Sequence, residues 1–314
     1  MGLKHEIVFI AICCMVLGSA HAYSEDEVSK LLDLWDYSDP AATEMLFVSL
    51  TEEAGQSDNT EYLPILITQL ARTHSLRDDF TLAHQQLDQA KSLIGEQKSR
   101  PWVFLLLERG RTYNSSGSKL KALEYFEEAF ITAEIIGDDY LAIDAAHMVA
   151  IAETLENQMK WNIIALGIAE TSKSHRARSW LGSLYNNMAW TLFDQGDYEK
   201  ALDLFDKAVD FRREKKNLRR LQIARWAVAR TYRALHRIDE ALQIQQSLLS
   251  ETETKGLPAD GYVVEELAEL YLVKKDPVAS DYFARAHRIL SRDQWLEKNE
   301  PERLARLKKL AVRN

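Results

Sequence analysis

A spaced triplet of side chains most limits what this chain can fold into. Ala201, Phe205 and Ala208 stand four and three residues apart, on one stripe of a helix, and Ala122, Phe126 and Ala129 repeat the spacing. Twelve residues before each first alanine stands another small residue, Ala189 in one case and Gly110 in the other. A glycine, Gly196 or Gly117, separates the two halves. Two helices joined by a tight turn satisfy this pattern. The small residues meet where the helices cross, and the ring fills the gap beside the crossing. One such pair cannot bury its apolar stripe alone, whereas stacked copies build a continuous core.

Other segments carry the pattern in part. Residues 64–97 hold Leu70, Ala71, Ala83, Leu87 and Ala90. Residues 222–255 hold Ala229, Tyr232 and Ala241, then Gln245 and Leu248 where a ring and an alanine are expected. Residues 261–293 hold Ala268, Tyr271, Ala279, Phe283 and Ala286. The weakest segment, about residues 141–178, offers Trp161, Ala165 and Ala169 for its second helix. The leading triplet residues are then Ala83, Ala122, Ala165, Ala201, Ala241 and Ala279, spaced by 39, 43, 36, 40 and 38. Only 12 glycines and 6 prolines interrupt 314 residues, so helices run throughout. A net charge of −9 argues against a chain whose whole surface binds nucleic acid.

On these residues the chain resembles the tetratricopeptide repeat family, over about residues 61–293. The resemblance implies an all-α, right-handed superhelical solenoid of about six antiparallel helix pairs, with helices longer than the family norm. Capping helices are expected in residues 23–60, and a basic capping helix in 294–314. It also implies that the first helix of each pair lines a concave groove for a protein or peptide. Carried over position by position, that groove receives Arg72, Arg111, Asn186, Trp190, Trp226, Arg230 and Arg233. His147 joins them if the third repeat is registered on Ala150, and the sixth repeat contributes Glu265 and Glu269. Arginine forks match carboxylates, and Trp and Arg dominate interface hot spots. A peptide bearing acids or a free C-terminal carboxylate is the expected ligand. Asn187 is similar to the asparagine of carboxylate-clamp repeats, but the preceding repeat lacks the matching Lys and Asn. The alternative is that Trp190 and Trp226 pack between adjacent helices while the arginines pair with acids.

The two ends carry separate signals. A weakly basic start (Lys4, His5), an apolar run over residues 7–17 and Ala20-His21-Ala22 form a secretory signal cleaved after Ala22. The expected location is periplasmic. Retention of the segment as an inner-membrane anchor is the alternative, and the one route to membrane association. Cys13 and Cys14 lie within that segment, so the mature chain has no thiol for a disulfide or a metal site. An amphipathic helix is expected over residues 25–37, interrupted at Asp39-Pro40, with a second helix from near Ala41. At the far end Arg303, Arg306, Lys308, Lys309 and Arg313 are expected to form a solvated cap.

Searching for chemistry yields little. No zinc-binding His-Glu-x-x-His and no Gly-rich phosphate loop is present, and the histidines outside the signal lack metal-ligand spacing. Ser116-Gly117-Ser118-Lys119 fits a Ser-x-x-Lys nucleophile pattern formally, but falls where the helix–helix turn is expected and lacks companion motifs. No metal or cofactor is expected. The leading reading is a non-catalytic scaffold or adaptor, followed by a sensor or regulatory component of a signalling system. An enzyme whose site carries no motif is the third.

Overall fold

A computed structural model of the chain describes residues 27–312. The expected signal segment and its cleavage point at Ala22 lie outside the described residues, as does Arg313. Among the described residues every regular element is an α-helix. The chain divides into two compact units, the first ending at Arg178 and the second beginning at Ser179.

Unit 1 contains a helix over residues 27–33 (α1), then α2 (Pro40–Gln56), α3 (Tyr62–Ser75), α4 (Phe80–Ile94), α5 (Arg100–Ser115), α6 (Lys119–Ile136), α7 (Asp139–Ala152), α8 (Leu155–Thr171) and the single turn α9 (His175–Arg178). Unit 2 contains α10 (Leu181–Asp194), α11 (Tyr198–Glu214), α12 (Leu218–Ala234), α13 (Ile238–Thr254), α14 (Gly261–Val273), α15 (Ala279–Leu290), α16 (Gln294–Asn299) and α17 (Pro301–Leu310). Each long helix packs on its successor. The first helices of neighbouring pairs also touch, α3 on α5, α5 on α7 and α12 on α14. Each unit is thus a stack of antiparallel helix pairs with the first helices as one layer. Sandwiched first helices bury most of their length: α3 buries Ile65 through Ala71, whereas α4 buries only Ala83, Leu87 and Ala90.

The triplet sets the register. It occupies the fourth, eighth and eleventh residues of α4 (Ala83, Leu87, Ala90), α6 (Ala122, Phe126, Ala129) and α11 (Ala201, Phe205, Ala208). Phe126 and Phe205 are fully buried, each side chain stabilising the fold by about 2–3 kcal/mol on removal from water. Gly110 shows why a small residue stands twelve places earlier. A Cβ there would lie 2.4 Å from a ring carbon of Phe126, so α5 and the ring interlock through a missing methyl. Asp79 and Asp138 start their helices by accepting from Leu82 N and Leu141 N, both at 3.0 Å, each cap contributing about 1 kcal/mol.

The same register corrects two expectations. In α8 the fourth, eighth and eleventh residues are Gln158, Asn162 and Ala165, so Ala165 closes the triplet rather than opening it. The matching small residue is Ala146, fully buried in α7, and not Ala150. The spacing of triplets across α6, α8 and α11 is therefore 36 and then 43, and the excess residues form α9 and its flanks, where the two units divide. At the start of the chain, α2 carries Thr43, Phe47 and Leu50 at the same three places. The first two helices thus stack in repeat register, concealed in the sequence by a threonine. The amphipathic helix expected through Tyr37 ends by residue 33. Beyond it Trp35 stacks on Tyr37 at 4.9 Å and meets Phe47 edge-on at 5.4 Å. Asp39 then accepts from Ala42 N at 3.0 Å to open α2.

Candidate functional site

The residues expected to form one groove divide between the units: Arg72, Arg111 and His147 in unit 1, and Asn186, Trp190, Trp226, Arg230 and Arg233 in unit 2. Each set lies on the face made by the first helices of its own unit.

In unit 1 the arginines are paired across successive repeats. Arg72 follows the small residue Ala71, and its Nη1 donates to Glu108 Oε1 at 3.2 Å, two residues before the small residue of the next repeat. Arg111 follows Gly110, and its Nη2 donates to Asp144 Oδ1 at 2.5 Å, again two residues before the next small residue. Arg111 also donates to Glu108 at 2.6 Å. Glu108 is 2% exposed and Asp144 8%, so these charges meet where water screens them little. Burial alone would make the Arg111 guanidinium a stronger acid. Asp144 and then Glu108 outweigh it and hold the cation well above its ordinary range. The row continues to Trp35, whose Nε1 donates to Gln69 Oε1 at 2.9 Å, and Arg72 lies over the Trp35 and Tyr37 rings at 5.6 and 5.1 Å. His147 lies half-buried beside this row, near the buried Asn162 of α8. Burial lowers its pKa; Asp144 pulls the other way and Arg111 reinforces the decrease.

The expectation of a predominantly basic face therefore fails in unit 1. The acids that neutralise it stand two residues before each small residue, a place not counted among the groove positions. That signal was readable in the sequence as Glu108 and Asp144, one repeat beyond Arg72 and Arg111.

In α10 and α12 the place of Glu108 is taken by Asn187 and by the small Ala227, while α14 keeps a carboxylate there, Glu266, two residues before Ala268 and paired with Arg233. Around α10 and α12 aromatic rings fill the face. Trp190 contacts Phe205 at 5.0 Å, Phe193 at 5.2 Å and Trp226 at 5.9 Å between ring centres. Trp226 meets the Tyr262 ring at 6.2 Å and donates from Nε1 to the Tyr262 backbone carbonyl at 3.1 Å. Both tryptophans are half-buried and bridge adjacent first helices. Gln245, in the ring position of α13, is fully buried and reaches the Trp226 carbonyl at 3.5 Å.

A cavity of about 340 Å³ opens beside this aromatic cluster. It is lined by Trp226, Tyr262, four arginines (Arg230, Arg233, Arg303 and Arg306) and four glutamates (Glu265, Glu266, Glu269 and Glu300). Arg233 donates through Nε and Nη2 to both oxygens of Glu266. From α17, Arg303 clasps Glu265 at 2.9 and 2.6 Å and reaches Glu300 at 2.9 Å, and Arg306 pairs with Glu269. Two members of the basic C-terminal cluster are thus ion-paired to α14, Arg303 half-buried and Arg306 still exposed. They neutralise the acids by which the sixth repeat departs from the others.

Arg230 differs from all of these. Its guanidinium lies 5.4 Å from the Trp226 ring centre, 5.6 Å from Trp190 and 5.8 Å from Phe193. Among the described residues it has no carboxylate partner, and its buried Nε has no acceptor. Asn186 lies at a different hollow, with its Nδ2 donating to Asn187 Oδ1 at 3.3 Å. Ser116 and Lys119, the formal nucleophile pair, flank the turn between α5 and α6, where Gly117 has φ of 86°. No group of His, Cys, Asp and Glu capable of holding a metal occurs among the described residues, and no helix there is long and apolar enough to cross a membrane.

The tetratricopeptide repeat family model matches residues 180–250, from the start of α10 through most of α13. No curated protein matches the sequence. Among solved structures, the chain is similar to a signal transduction ATPase with numerous domains and a tetratricopeptide repeat sensor from Pyrococcus horikoshii. The TM-score is 0.69 at 17% identity, over 95% of this chain and 45% of that one. This chain therefore spans under half the length of the ATPase. The apo form of RapI matches with a TM-score of 0.70 at 14% identity, over 93% of this chain and 85% of its own. A Rap protein complexed with competence and sporulation factor matches at 0.53 and 15%, over 85% and 77%. At these identities the likeness establishes the fold.

Proposed function

We propose that this tetratricopeptide-repeat protein is a non-catalytic scaffold or adaptor whose unit 2 holds a protein or peptide ligand on the face of its first helices, with Arg230 as the anchor. The observation that carries the reading is the contrast among arginines. Arg72, Arg111, Arg233, Arg303 and Arg306 each have a carboxylate partner, and Arg230 has aromatic faces only. A guanidinium over aromatic rings keeps its N–H edge for an incoming acceptor. The rings contribute about 0.5–2 kcal/mol to holding the cation in place. An acid of the ligand, on a side chain or at a C-terminus, completes the site.

A regulatory role is the second reading. The archaeal ATPase uses its repeats as a sensor, and the Rap protein is seen with a bound factor. The export pattern ending at Ala22 supports a place in the periplasm, or in the inner membrane if the segment is retained.

Selection from a random peptide library on the full chain tests the main reading. The expected result is enrichment of peptides with an acidic residue or a required free C-terminus, whose affinity falls about 10- to 30-fold in Arg230→Ala. Enriched peptides that bind wild type and Arg230→Ala equally would overturn it.

A further inference from the structure

Unit 2 holds a second hollow, of about 230 Å³, between α10, α11 and α12. It shares no lining residue with the cavity at Arg230. Its polar lining consists of Ser183, Asn186 and Asn187 from α10, Arg212 from α11, and Arg220 from α12. No carboxylate takes part.

Arg212 is the unusual member. It is only 8% exposed. Its one hydrogen bond among the described residues runs from Nη2 to Ser183 Oγ at 3.2 Å. A second cation, Arg220, lines the same hollow. Burial, and then Arg220, push the Arg212 pKa down, the reverse of Arg111 and Arg233. Holding a guanidinium away from water without a counter-charge is strongly unfavourable. The fold nevertheless makes room for it. Gly182 lacks a side chain where a Cβ would lie 2.5 Å from Arg212 Cζ, so the surface of α10 is cut back to admit the guanidinium. Packing has been given up on α10 to accommodate a charge that no carboxylate among the described residues neutralises.

We propose that this hollow is a binding site for a phosphate-type dianion, with Arg212 and Arg220 supplying the charge and Ser183 and Asn186 supplying neutral donors. The charge count favours phosphate over carboxylate. Two guanidiniums with no acid call for about two negative charges, which a phosphate monoester carries at neutral pH and a single carboxylate does not. Guanidinium forks also match paired phosphate oxygens. The site is independent of the peptide anchor, and either can fail without the other.

Isothermal titration of inorganic phosphate into the full chain at low ionic strength tests it. Arg220 is exposed and caps no carboxylate, so Arg220→Gln retains the fold. The expected result is saturable one-site binding that weakens at least about tenfold in Arg220→Gln, and a phosphate-dependent rise in Tm that the variant loses. Identical isotherms for wild type and variant, or no saturable binding, would overturn the proposal. So would acetate binding as tightly as phosphate, because the site would then be matched to a single negative charge.

Discussion

Arg72 and Glu108 lie 36 residues apart in consecutive repeats, and their side chains meet at 3.2 Å. Glu108 Oε1 is also the acceptor for Arg111 and, at 3.5 Å, for Gln69. One buried carboxylate therefore anchors the inner faces of α3 and α5. In Glu108→Gln both arginines lose their shared anion, and Arg111 keeps only Asp144. Removing one member of a buried pair costs about 3–5 kcal/mol, and the partial exposure of Arg72 places the expected loss at the lower end. Urea unfolding of the variant reads it.

Stability should depend on pH through His147. Its folded pKa is depressed, first by burial, below the value of about 6.5 that a free histidine shows. The unfolded chain then binds the proton more readily than the folded one. The stabilising contribution is full above about pH 6.5 and declines as the pH falls through that value toward the folded pKa. His84, depressed by burial and by Arg109, acts in the same direction. A Tm that falls between pH 7 and pH 5, with a shallower slope in His147→Gln, is the expected outcome.

Gly110→Ala should destabilise the chain although alanine is the better helix former. The propensity gain is about 1 kcal/mol. The added methyl would lie 2.4 Å from the Phe126 ring, which is fully buried and cannot withdraw. Overpacking of this kind costs about 1–3 kcal/mol, so the net effect is a loss. Denaturant midpoints of Gly110→Ala and Gly55→Ala separate the two terms, since nothing lies within 4 Å of a Cβ built at Gly55.

The turn inside most repeats, though not the α7–α8 turn, places a residue in the left-handed region. Gly117 and Gly196 supply it with φ of 86° and 83°, while the fifth repeat uses His236 at 60°. A side chain in that region costs about 1–2 kcal/mol. His236 is exposed. His236→Gly should raise stability by about 1 kcal/mol, less what glycine loses in chain entropy. Thermal unfolding of that single variant checks the sign.

Much of this architecture was legible because close packing leaves few choices. Ala122, Phe126 and Ala129 can serve together only where two helices cross against a third, and five segments showed enough of that pattern to count. The register failed in the third repeat because Gln158 and Asn162 stand where Ala and Phe are usual. Asn162 fills the aromatic place as a buried amide, a polar solution that hydrophobic spacing does not register. The inner-face residues were located, but not their pairing. Whether an arginine is free depends on a residue one repeat away, and Glu108 and Asp144 stand at a place the family pattern did not mark. Arg212 gave no signal at all, since a lone arginine near a helix end reads as a solvated side chain until Gly182 is seen to make room for it.

In unit 1 each rung of charge has one end in each of two successive repeats, so no helix pair there is electrically self-sufficient. A proteolytic cut or a deletion that removed α7 and α8 would leave Arg111 with one of its two carboxylates, and loss of α5 would take from Arg72 its carboxylate partner Glu108. Such a stack cannot shed repeats one at a time from its end. Its melting should be all-or-none, and amide exchange in α3, α5 and α7 should report a single opening free energy.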